Sequence, residues 1–293
     1  MMKFYISLLL LLCSMLLSGM PCSAQEGGRP LQVSYGYMPL DGDATVSEWE
    51  AALLLPISKG TGFDLIGGLY YNAQSLVDFP MDIGRRLVST GIPLGARVAL
   101  NGRDHLFIAS RLLLSSDFKD ISSEALTFSI GTGLIRKLSE TLSLGVGMGY
   151  SRQFFGNQLL PFVDIEIEVS KKVRLNGRFP LKGDITYGWG SRSGAGWEWN
   201  LGAQSYRLSD AAFDGNYIRH SRFQTNVFYQ YRFYKGFRIK LAGGFVAQRY
   251  QMYDDLDSNG WSIITISLSG RKDPLEELEY RGGFVQLGIF YAF

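Results

Sequence analysis

Between residues 163 and 179 the chain reads VDIEIEVSKKVRLNGRF, with apolar and polar side chains taking turns. Val163, Ile165, Ile167 and Val169 alternate with Asp164, Glu166 and Glu168. Beyond Ser170-Lys171-Lys172, Val173, Leu175 and Phe179 alternate with Arg174, Asn176 and Arg178. A period of two means extended strands with one apolar and one polar face. A three-residue hairpin loop at 170–172 sets Glu168 opposite Arg174, Glu166 opposite Asn176 and Asp164 opposite Arg178. Opposite charges then pair on one face, and Val169–Val173 and Ile167–Leu175 pair on the other, so register and charge agree.

The same period recurs along the chain. LSLGVGMGYS (142–151) and ALTFSIGTGL (125–134) set large apolar residues on one face and Gly, Ser and Thr on the other. A glycine row costs strand propensity, and it brings a return only where it makes room inside a closed barrel. In 226–241, Val227, Tyr229, Tyr231, Phe233, Phe237, Ile239 and Leu241 share one face; Asn226, Gln230, Arg232, Arg238 and Lys240 share the other. Aromatic residues crowd the turn Tyr234-Lys235-Gly236, where one interfacial girdle of a membrane barrel belongs.

Such segments recur from Leu31 to Phe293 and match the about 9–11 residues of a tilted spanning strand. Short connections are expected near 58–61, 101–104, 136–140, 170–172, 191–195 and 234–236, and longer ones at 39–46, 73–85, 115–122, 152–158, 209–219 and 251–279. Short periplasmic turns and long outer loops are the barrel pattern. The pattern predicts an all-β fold, a transmembrane antiparallel up-and-down β-barrel. It has fourteen strands if Pro180-Leu181-Lys182 is a tight turn and twelve otherwise. WSIITISLS (261–269) breaks the parity and is assigned to the last outer region.

The N-terminus has Lys3, an apolar run from Phe4 to Leu17 and small residues up to Ala24, which predicts a secretory signal peptide over 1–24. A single barrel domain is expected over 25–293. Cys13 and Cys22 both fall in the removed segment, so disulfides, thiolate metal sites and cysteine nucleophiles are excluded from the mature chain. A net charge of +2 with 19% charged residues gives no support for nucleic-acid binding. No apolar run after residue 25 is long enough for a spanning helix.

The last eight residues, QLGIFYAF, carry Gln286, Gly288, Tyr291 and Phe293 at the positions polar, Gly, aromatic and terminal aromatic. In this the chain resembles the outer-membrane β-barrel proteins of Gram-negative bacteria. The resemblance implies an outer-membrane location, the lipid bilayer as partner, and recognition of the final strand by the barrel assembly machinery as an added strand. A monomer is expected. The pieces GAGWEWNLG, YQYRFYKG and GGFVAQRY between Gly194 and Tyr250 also resemble an uncharacterised group of such barrels known only as a domain of unknown function, which implies no activity.

Candidate chemistry is sparse. His105 and His220 are the only histidines, and His220 in NYIRHSRF is the one candidate base for a lipid-modifying hydrolase, with Ser205 or Ser209 as nucleophile. Its neighbour Ser221 points to the opposite face of the strand. Asp254, Asp255 and Asp257 lack the spacing of a calcium loop, and Glu276, Glu277 and Glu279 read as an exposed acidic rim. No metal or cofactor is expected. Two charge features remain: a lumen network of Asp164, Glu166 and Glu168 with Arg174 and Arg178, and a basic strip of Arg222, Arg232, Arg238 and Lys240. The strip either favours anionic solutes or neutralises wall acids such as Glu48 and Glu50. The leading reading is a passive pore or small-solute conduit; the alternatives are a non-conducting structural or adhesion barrel and the hydrolase.

Overall fold

The computed structural model describes residues 30–40, 42–81, 83, 85–210, 213, 215–254, 259–268 and 273–291. The expected signal peptide, Phe293, Asp255 and Asp257 lie outside the described residues. The wall consists of β1 (Leu31–Pro39), β2 (Thr45–Gly60), β3 (Phe63–Val77), β4 (Arg86–Ala99), β5 (Asp104–Ser116), β6 (Leu126–Lys137), β7 (Leu142–Gln153), β8 (Gly156–Ser170), β9 (Val173–Phe179), β10 (Lys182–Trp189), β11 (Ser193–Arg207), β12 (Tyr217–Tyr234), β13 (Phe237–Tyr253) and β16 (Glu276–Tyr291). A short hairpin, β14 (Trp261–Ile263) and β15 (Ile266–Ser267), interrupts the connection from β13 to β16. Each wall strand pairs antiparallel with the next, and β16 pairs with both β13 and β1, which closes fourteen strands into a barrel.

The tight turn at Pro180-Leu181 separates β9 from β10, and so the count is fourteen. Other boundaries move. The region 152–158 is strand except for the turn Phe154-Phe155, β2 runs on to Gly60, and β12 already begins at Tyr217. Glu276, Glu277 and Glu279 belong to β16, not to a loop; Gln251 Nε2 donates to Glu277 at 2.5 Å, and Glu279 pairs with Arg249. These strand ends are polar on both faces, so alternation fades there while the backbone ladder continues.

Outward residues such as Leu69, Ile92, Val146, Val227, Leu241 and Val285 are exposed and form an apolar band around the wall. A monomer in water does not tolerate so large an apolar surface; a bilayer does. Aromatic chains flank the band. Phe233, Phe237 and Tyr291 lie in sequence at the short-turn end, while Phe128, Tyr150 and Trp261 do so at the long-loop end.

Strands β9 and β10 have only 7 and 8 residues. At about 3.3 Å per residue and a tilt near 40° they rise about 18–20 Å, short of the roughly 25 Å apolar band. The gap is filled by the β14–β15 hairpin. β14 runs parallel to β8 at Asn157–Leu159, beyond the last β8–β9 pair at Val163 and Phe179. Trp261 and Ile266 point outward and are exposed, whereas Ser262 is buried. The parity-breaking apolar segment is therefore part of the lipid-facing wall.

The ring is not uniform along its axis. Near the long-loop end, the tops of β11 and β12 lean into the lumen until Arg207 pairs with Ser116 of β5. At that level β1–β5, β16, β13, β12 and β11 close around their own apolar core. Met38, Val46, Leu76, Leu87, Tyr206, Leu208, Ile218, Val246, Tyr250 and Phe284 are among its buried members.

Candidate functional site: the lumen and its closure

The β8–β9 hairpin carries the charge pairs read from alternation, but its loop is the two-residue turn Lys171-Lys172, and a bulge at Val169 sets Ser170 rather than Val169 opposite Val173. Arg178 donates to Asp164 from Nε at 2.7 Å and from Nη2 at 3.0 Å, and Arg174 Nη2 donates to Glu168 at 2.6 Å. Glu166 stands opposite Asn176 in register. The Arg178 guanidinium also covers the rings of Phe107 and Phe162, at 4.7 and 4.3 Å from their centroids. Those rings occupy the room above the glycine row: a Cβ on Gly147 would collide with Phe162, and one on Gly133 with Phe107. The lumen space that glycine opens is thus filled by aromatic side chains from neighbouring strands.

The basic strip is divided by acids. Arg222 Nη1 donates to Glu48 at 2.5 Å, and Asn72 supports the same carboxylate at 2.7 Å. Lys240 pairs with Glu198 at 2.5 Å and sits over Phe228. Arg232 and Arg238 are cross-strand neighbours near the short-turn end. Glu50 lies within electrostatic reach of Arg222, and also of Arg111 and Lys182, which sequence reasoning missed because they come from two further distant strands. Arg111 and Lys182 share the lumen parity of their strands and are exposed, so water reaches the middle of the barrel.

Above this level the leaning β11–β12 hairpin divides the mouth. Its apolar face, with Tyr206, Leu208 and Ile218, is part of the core described above. Its other face meets β5–β8 through polar contacts and a small aromatic cluster in which Tyr217 packs on Phe154. Ser205 Oγ donates to Gln153 Oε1 at 2.9 Å and accepts from the Phe154 amide at 3.0 Å. Arg207 pairs with Glu124 at 2.8 Å. Gln204 contributes from the hairpin's edge, donating to Ser89 and to Ser115. Beyond the wall, the Ser209 amide donates to Asp117 at 3.1 Å and Lys119 pairs with Asp210 at 2.8 Å; that carboxylate holds the Lys119 ammonium protonated to higher pH than usual.

His220 is buried in the core-side network. Its ring nitrogens meet Gln74 and Gln248, each at 3.3 Å, and its ring stacks on Tyr250 at 4.2 Å. Ser205 is engaged on the opposite face by Gln153, and Ser209 by Asp117. No serine stands beside the imidazole among the described residues, so the nucleophile–base pair of a hydrolase is not assembled. Among the described residues there is also no group of three His, Cys, Asp or Glu placed to hold a metal ion.

Comparison with solved structures finds porins with low likeness. The KdgM porin in complex with disordered oligogalacturonate is 10% identical, covering 89% of this chain and 99% of that one, at a TM-score of 0.34. The NanC porin is 9% identical over 90% and 100% of the two chains at a TM-score of 0.37. A further KdgM porin structure is 12% identical over 89% and 99% at 0.35. The barrel assignment rests on the strand pairing above. No curated protein matches the sequence. Residues 86–259, from β4 to just beyond β13, match one family over more than half of the chain, and the protein is therefore a member of the family described as Domain of unknown function (DUF6268).

Proposed function

We propose that the protein is a monomeric small-solute conduit of the bacterial outer membrane, with short turns in the periplasm and long loops outside. Its path runs along the polar seam between the β11–β12 hairpin and β5–β8. The carrying observation is the hairpin's asymmetry: one face is bonded into the larger apolar core, the other is held by hydrogen bonds, ion pairs and one small aromatic cluster around Tyr217 and Phe154. A polar seam can part and fill with water; an apolar one resists it. Arg111, Lys182 and Arg222 against Glu48 and Glu50 favour anions at mid-height. The network of Asp164, Glu166 and Glu168 with Arg174 and Arg178 fills and braces the wall, and beyond the Lys240–Glu198 pair Arg232 and Arg238 continue the basic side toward the periplasm. Gln286, Gly288, Tyr291 and Phe293 present the closing strand to the assembly machinery.

Single-channel recording of the purified protein in planar bilayers tests this. Discrete conductance steps with a reversal potential shifted toward anions are expected. A second reading, a sealed barrel acting through its outer loops, is favoured by the closed mouth; a complete lack of steps across all voltages would establish it over the conduit.

A further inference from the structure

Where β11 and β12 lean inward, their outer side and the adjoining strands β13 and β16 form a groove. It has a volume of about 330 Å³ and is lined by Arg219, Arg249, Arg281 and Glu279 together with the apolar Phe223 and Ala247. The three arginines share the outward parity of adjacent strands, as the pairs Ser221↔Arg249 and Ala247↔Arg281 show. We propose that this groove binds the phosphate of a lipid headgroup from the surrounding leaflet, namely the phosphorylated glycolipid lipid A.

Depth supports the assignment. Arg281 is ten residues from Tyr291, and Arg249 is twelve from Phe237, both in the aromatic girdle of the short-turn end. At about 3.3 Å per residue and a tilt near 40° these spacings rise about 25–30 Å, the height of the apolar band, so the arginines sit at the opposite headgroup layer. Directly below them Val227, Leu241 and Phe245 are exposed to receive acyl chains. Charge supports it too. Glu277 and Glu279 engage Arg249, leaving the rim with more guanidinium than carboxylate, and Arg281 makes no ion pair among the described residues. Arg219 is pinned, donating to the Thr265 carbonyl at 3.1 Å and covering Phe155 at 4.9 Å, so the groove is held open by the β14–β15 hairpin. Guanidinium groups bind phosphate through paired, charge-assisted hydrogen bonds.

The site rests on the orientation proposed above, not on conduction. The test is native mass spectrometry of the full-length protein in detergent with diphosphorylated lipid A, dephosphorylated lipid A and inorganic phosphate as probes. Wild type is expected to retain diphosphorylated lipid A about tenfold better than the dephosphorylated form, and Arg249→Gln/Arg281→Gln to lose about tenfold. Arg174→Gln, at the far end of the lumen, is expected to retain it as wild type does, and a heat-modifiable gel shift verifies that each variant is folded. Equal retention by a folded double variant, equal retention of the dephosphorylated lipid, or displacement by millimolar inorganic phosphate would each overturn the proposal. A barrel that shows no conductance yet retains lipid A through these arginines sinks the conduit and leaves this site standing.

Discussion

At the residue scale, two arrangements bear most of the lumen's internal order. The first is the seat that glycine makes for an aromatic ring. Gly147→Val would drive a branched side chain into Phe162, displace it from Phe107 and remove the surface on which Arg178 rests. Such overpacking costs about 1–3 kcal/mol, measurable as a lowered urea midpoint of the detergent-folded barrel. The second is the Glu48–Arg222 pair, with side chains 12% and 21% exposed. Arg222→Ala leaves an uncompensated carboxylate in the lumen, and the loss expected for breaking such a pair is about 3–5 kcal/mol. Glu48→Gln/Arg222→Met should recover a large part of it; a double variant no more stable than the single one would contradict the pairing as the source. The two arrangements differ in how far the sequence reveals them. Asp164 and Arg178 flank one short turn, so alternation alone sets them opposite each other. Glu48 and Arg222 are 174 residues apart and meet only because the barrel closes.

At the scale of elements, the β11–β12 hairpin is held by unequal seams. Burying a large apolar side chain is worth about 1.5–3 kcal/mol, against roughly 0.5–1.5 kcal/mol net for a hydrogen bond. Tyr206, Leu208 and Ile218, within the larger core, therefore hold one face more firmly than Ser205, Gln153 and the smaller Phe154–Tyr217 contact hold the other. Ile218→Ala is expected to destabilise the whole barrel by about 2–5 kcal/mol. Ser205→Ala with Asp117→Ala should lower the unfolding midpoint less than Ile218→Ala does and, unlike it, raise the open probability in bilayers. Equal effects of the two variants on both readouts would contradict the asymmetry. The β14–β15 hairpin belongs to the same scale. Its removal uncovers the gap above β9–β10, and recordings of a chain lacking residues 260–268 should show larger conductance than wild type.

At the scale of the molecule, the apolar band, two aromatic girdles and a water-reached middle describe a membrane barrel narrowed at one end. If Arg111 and Lys182 set the field at mid-height, Arg111→Glu/Lys182→Glu should move the reversal potential toward cations in a salt gradient. An unchanged potential would place the selective point elsewhere, along the upper seam. Exchanging Arg174 and Glu168 for each other keeps the sum of charges and the pair, and is expected to leave selectivity as it was.

The amino-acid sequence by itself determined the middle of each long wall strand, which face of it meets lipid, and how most neighbours around short turns pair. These follow from a period of two and from contacts local in the chain; in 163–179 they give the polar pairs and Ile167–Leu175, while the bulge at Val169 beside the turn escapes them. Only the tertiary structure decided what stands across the lumen. Alternation names the inward face of a strand, yet it carries no information about the partner opposite, which depends on strand count, tilt and closure. For that reason alternation left undecided whether the room above the glycine row is open, where rings from β5 and β8 fill it, and whether the basic strip faces solutes or wall acids, where Glu48 and Glu198 divide it. The tops of β11 and β12 are buried on both faces, so no period marks their turn inward. That inward lean, and the short apolar hairpin set above β9–β10, became visible only once the wall had closed.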